Sequence, residues 1–191
     1  MTKERLVHLL RCASMISSGQ RLILAGSQAL YAATDSAPES VRRSEEADLL
    51  LVRVDLALFR CLDEQLGMDS PYLRETGVFA HPVGLGTIIA PHGWEQRLTA
   101  FGLAEGLENI WALELHDLAA SKLMAGRAKD LQFLLELIRQ SLLQLETLME
   151  RFLTLRSTPF MNAMDDRLHK LAAVLEAAGL KKEATRVRSA V

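Results

Sequence analysis

The sequence predicts an α+β fold: an α/β domain with a small mixed sheet over residues 1–110, followed by a helical domain over residues 111–191. Two observations predict it. Short apolar runs bounded by Gly, Pro and polar clusters, the mark of strands, fall before residue 114. After Glu114 the apolar residues recur at helical spacing with almost no strand signal.

In chain order, Leu6, Leu9, Leu10, Ala13 and Ile16 share one face of a helix that Ser17, Ser18 and Gly19 close. Residues 21–25 read as a short buried strand, Gly26 and Ser27 as a sharp turn, and residues 28–33 as a short helix with Ser27 at its N-cap. Residues 35–43, with Pro38 and many charges, read as a loop, and residues 47–54 as a Leu- and Val-rich central strand. Leu58, Phe59, Leu62 and Leu66 give a second amphipathic helix over 55–66, and residues 67–71 a turn. Residues 77–83 and 87–90, separated by Gly84 and Gly86, read as a hairpin. Residues 115–125, 129–139, 142–155 and 161–178 read as helices, with a domain boundary near 105–114. Leu134, Leu135, Ile138, Leu142, Leu145 and Leu148 carry more apolar surface than a small sheet covers, so self-association into a homo-oligomer is expected.

Composition narrows the function classes. An apolar fraction of 49% excludes intrinsic disorder, and a formal net charge of −2 gives no global bias towards nucleic acid or anionic lipid. Cys12 and Cys61 lack paired metal-type spacing, which argues against a disulfide scaffold or zinc module and for a reducing compartment, the cytoplasm. No apolar run approaches the ~20 residues that span a bilayer, so neither export signal nor membrane anchor is expected.

The chemistry-bearing constellation is Gly26-Ser27 after a strand, then Ser44 to Asp48 entering the next one. A Gly turn at a helix start lets backbone approach a ligand, and free N–H groups with the Ser hydroxyl can hold phosphate. Glu46 and Asp48, two apart on an extended strand, project from one face, where paired carboxylates chelate Mg²⁺. A capped helix followed by an acidic loop is the other reading of the same spacing. Lys122 and Lys129 are seven apart and share a helical face if the helix continues through Gly126, with Arg127 adjoining. A phosphate contact and a solvated charged face both fit them. The five histidines show no short metal spacing.

The run Leu24 to Leu30 (LAGSQAL), with Arg42, Ser44, Glu46 and Asp48, resembles the nucleotidyltransferase superfamily pattern of a Gly-Ser turn, a spacer and Arg-x-Thr-x-Asp-x-Asp opening a strand. The stretch from Leu115 to Asp130, containing Lys122, Arg127 and Lys129, and the stretch from Pro91 to Leu98 (PHGWEQRL) resemble segments of bacterial nucleotidyltransferase-like proteins related to the toxins of abortive-infection toxin–antitoxin systems. The resemblance implies a nucleoside triphosphate bound by Gly26, Ser27, Arg42, Ser44, Lys122, Arg127 and Lys129, with Glu46 and Asp48 as catalytic Mg²⁺ ligands. It also implies transfer of a nucleotide to a hydroxyl of a protein, a tRNA or a small molecule. The sequence departs from the pattern at Glu46 and Ser44, and offers His81 where a third acid is expected. The alternative is a catalytically degenerate nucleotide- or partner-binding protein of a toxin–antitoxin-like system.

Overall fold

The protein is described by a computed structural model covering residues 1–35, 37–53, 55–101, 105–157, 159 and 161–190; the side chains of Arg42 and Ser157 lie outside the described residues. The fold is α+β, in two compact units: Met1–Ile88 with Glu95–Glu114, and Ile89–Trp94 with Leu115–Val191.

In the first unit, α1 (Lys3–Ile16) starts at Thr2, whose side chain accepts from the Arg5 N–H, and buries Leu6, Leu9, Leu10 and Ala13. Next come β1 (Leu22–Leu24), a 3-10 turn (Ser27–Ala32), α2 (Glu39–Arg43) and β2 (Glu46–Leu51). They are followed by α3 (Leu56–Leu66), α4 (Pro71–Thr76), β3 (Phe79–Gly84), β4 (Thr99–Ala100) and β5 (Ile110–Ala112). The five strands form one mixed sheet in the order β3-β2-β1-β5-β4. β1 runs antiparallel to β2 and parallel to β5, β2 runs parallel to β3, and β4 is antiparallel to β5. Leu22, Ile23 and Leu24 are fully buried, each contributing about 1.5–3 kcal/mol of apolar burial. α3 begins at Asp55, whose carboxylate accepts from the Leu58 N–H at 2.9 Å, and buries Leu58, Leu62 and Leu66.

Several expectations are corrected. The loop over 35–43 contains α2, and the turn after Gly67 runs into α4, where Ser70 caps and Pro71 occupies the first turn. The expected hairpin over 77–90 does not form: β3 pairs parallel with β2, and a 3-10 turn (Leu85–Thr87) follows it. Pro82, which lacks an N–H, is tolerated because β3 is an edge strand. The helix after the Gly-Ser turn is 3-10 rather than α, and its N-cap is Gly26, with no side-chain cap, rather than Ser27. β4 and β5 lie where the sequence showed no strand, and β5 supplies the parallel neighbour of β1.

The second unit holds α5 (Leu115–Ala125), α6 (Ala128–Arg139), α7 (Leu145–Leu153), α8 (Met161–Ala177) and α9 (Lys181–Arg188). α5 ends where Gly126 adopts φ +63°, a left-handed conformation, and where a Cβ would meet Arg167 Cδ at 2.4 Å. Lys122 and Lys129 therefore sit on different helices and do not share one helical face. Leu134, Leu135, Leu145 and Leu148 are buried within this chain, while Ile138 and Leu142 are half-buried. The basic C-terminal segment is a packed helix: Ala184 and Val187 are fully buried, and Arg186 pairs with Glu146 at 2.6 Å.

Candidate metal centre

The acidic pair lies on β2 and its neighbour on β3. Side chains alternate along a strand, so Glu46, Asp48 and Leu50 face one way, while Ala47, Leu49 and Leu51 face the other. The parallel register pairs Asp48 with His81, which sets the imidazole on the same face as both carboxylates. His81 Nδ1 lies 2.8 Å from Glu46 Oε1 and 3.2 Å from Asp48 Oδ1. One donor atom from each residue lies within 4.8 Å of the others, the one such metal-type group among the described residues. The side chains of Glu46, Asp48 and His81 are 40%, 33% and 50% exposed, so the group is open to an ion from solvent.

Gly26 borders this group. A Cβ at Gly26 would stand 2.0 Å from Asp48 Oδ2 and 2.9 Å from Asp48 Cγ, so the carboxylate fills the volume that any other residue would need. The Gly26 backbone is extended, at φ −89°, and close approach rather than conformational freedom demands glycine here. Next to it the Ala25 N–H donates to the Asp48 carbonyl at 3.0 Å, locking the end of β1 to β2. The Gly turn and the acidic strand, 22 residues apart in the chain, meet at one place.

The remaining predicted site residues are distributed as follows. Ser27 is half-buried at the start of the 3-10 turn. Ser44 ends α2, and its hydroxyl donates to the Glu46 carbonyl at 3.3 Å. Arg42 is on α2, and its side chain lies outside the described residues. Lys122, Arg127 and Lys129 belong to the helical unit. There Asp130, which is 1% exposed, takes Arg127 Nε at 2.5 Å and Lys122 Nζ at 3.4 Å. A buried carboxylate needs such partners, so a structural role accounts for both cations, while Lys129 is exposed. Asp117, fully buried, is likewise matched by Arg151 at 2.9 Å.

At the far end of β2 a cleft of about 1050 Å³ is lined by Arg21, Ile23, Leu51, Arg53, Asp55 and Leu56, among others. Ile23 pairs with Leu50 and so lies on the sheet face of Glu46 and Asp48, while Leu51 lies on the other, so the cleft sits at the end of these strands rather than on the acidic face. This cleft was not legible from local pattern, because Arg21 and Arg53 are separated in the chain and gathered only by the antiparallel pairing of β1 with β2. Arg21 lies over the Trp111 ring at 4.9 Å, a cation–π contact within the sheet.

Comparison with known protein families, curated proteins and solved structures finds no match to this chain.

Proposed function

We propose that this chain binds a nucleoside triphosphate together with a divalent cation and transfers the nucleotide to a hydroxyl of a protein, a tRNA or a small molecule. One observation carries the reading: the residues of the nucleotidyltransferase-like pattern, Gly26, Glu46 and Asp48, distant in sequence, converge on one sheet face. The donor set fits a cation. Donors at about 2.1 Å from an octahedral ion stand ~3.0 Å from one another when adjacent, close to the 2.8 and 3.2 Å between His81 Nδ1 and the two carboxylates.

Within this reading Glu46 and Asp48 hold the ion, Mg²⁺ by the resemblance, and Ser27 donates its hydroxyl to a phosphate oxygen. An ion held by Glu46 and Asp48 would supply positive charge to offset that of the triphosphate and of the leaving pyrophosphate. Without it, two carboxylates facing a triphosphate repel it, so ion and nucleotide bind more tightly together than apart.

A second reading, a binding protein without transferase activity, is favoured by His81 standing where a third acid is expected. Calorimetry with each of the four nucleoside triphosphates, with and without Mg²⁺, tests the proposal. Cation-dependent heat that Asp48→Ala abolishes is the expected result, and no heat in any combination contradicts it. Pyrophosphate release then separates transfer from binding alone.

A further inference from the structure

We infer that His81 makes the Glu46–Asp48 site selective for a first-row transition-metal dication, such as Mn²⁺ or Zn²⁺, over Mg²⁺. The inference rests on the reading above that the two carboxylates hold a cation, and it names the ion. Nδ1 of His81 points between the carboxylates, 2.8 Å from one and 3.2 Å from the other. Any ion that both carboxylates share therefore meets an imidazole nitrogen. That position is built by the fold rather than reached by a mobile side chain, because β2 and β3 are in parallel register with Asp48 directly opposite His81. The Asp48 carboxylate occupies the space beside Gly26 that a side chain there would fill.

The nitrogen decides the selectivity. Mg²⁺ favours an all-oxygen shell and gives up water reluctantly, so an imidazole adds little to its affinity. Imidazole suits transition metals, and the affinity of a mixed nitrogen and oxygen site rises from Mn²⁺ towards Zn²⁺. Two carboxylates and one imidazole leave further coordination positions facing solvent, consistent with the partial exposure of all three side chains, and triphosphate oxygens are suited to fill them.

The test uses the full-length protein and metal alone, with no nucleotide. Mn²⁺ binding is followed by the loss of the free-ion electron paramagnetic resonance signal, and Zn²⁺ and Mg²⁺ binding by calorimetry, for the wild type and for His81→Ala. The half-exposed position of His81 leaves the core intact, and circular dichroism melting verifies folding. The wild type is expected to prefer Mn²⁺ to Mg²⁺ by about tenfold or more, with Zn²⁺ tighter still, and His81→Ala to reduce the Mn²⁺ preference to about threefold or less. Equal affinities in the wild type, an unchanged preference in the variant, or no binding of any of the three ions would overturn the inference. Repeating the Mn²⁺ titration with a nucleoside triphosphate separates the two claims. Metal preference without nucleotide binding contradicts the proposed function alone, and nucleotide binding without metal preference contradicts this inference alone.

Discussion

Gly26 is the residue on which the site geometry turns. Gly26→Ala puts a methyl group 2.0 Å from Asp48 Oδ2, so the carboxylate must leave its position beside the turn. Since the backbone there is extended, the variant folds, at a cost of about 1–3 kcal/mol from overpacking. Metal affinity is expected to fall by roughly tenfold or more as one ligand is displaced, equivalent to about 1.4 kcal/mol. Gly86→Ala, with nothing within 4 Å of the added carbon, is the matched control and should change neither. A metal titration with a parallel urea melt checks both. Tyr72 offers a separate test of the packing of the first unit. Burial, and then the nearby Cys12 thiol, push its phenol up to about 12, and its hydroxyl lies 2.7 Å from His8 Nδ1. The folded state keeps this proton where the unfolded chain has lost it, so stability should fall as pH rises from about 10 to about 12 and be insensitive to this group below that window. Ultraviolet titration of a Tyr31→Phe variant isolates the phenol; a midpoint near 10 would contradict the packing described around α1 and α4.

At the scale of elements, the buried carboxylates are what the helical unit is arranged around. Asp130 at the start of α6 is held by Lys122 from α5 and by Arg127 from the intervening turn. Asp130→Ala removes the buried carboxylate that Lys122 and Arg127 share, and a loss of about 1.5–3 kcal/mol, the range of hydrogen bonds to charged groups, is expected in thermal or urea unfolding. A loss below about 1 kcal/mol, the level of a surface ion pair, would mean that the contact is solvated. The sequence was most legible where periodicity is long. α1, α3 and α5 follow directly from apolar spacing, and β2 from its Leu-rich run. It was least legible where an element is short or defined by a distant partner. β4 and β5 hold two and three residues and exist through pairing with each other and with β1, which no local pattern encodes. The glycines at 84 and 86 suggested a hairpin, but turn residues alone do not specify which strand pairs with which. Of the metal group, Glu46 and Asp48 were legible from their spacing. His81 stood out only as the residue where the resemblance expects a third acid, because its partnership with Asp48 depends on the β2–β3 register.

For the molecule as a whole, the described residues contain no helix long and apolar enough to cross a membrane. With a net charge of −2, the electrostatics that matter are local: two carboxylates and an imidazole on one sheet face. The two units divide the predicted residues, with Gly26, Ser27, Arg42, Ser44, Glu46 and Asp48 in the sheet unit and Lys122, Arg127 and Lys129 in the helical one. On the function proposed above, a metal ion occupies the place where Glu46, Asp48 and His81 converge. Anomalous diffraction from crystals soaked in Mn²⁺ tests it most directly. One strong peak is expected within bonding distance of Glu46, Asp48 and His81 Nδ1, absent in crystals of Asp48→Ala. A map with no peak there, or with its strongest peak at another carboxylate, would contradict it.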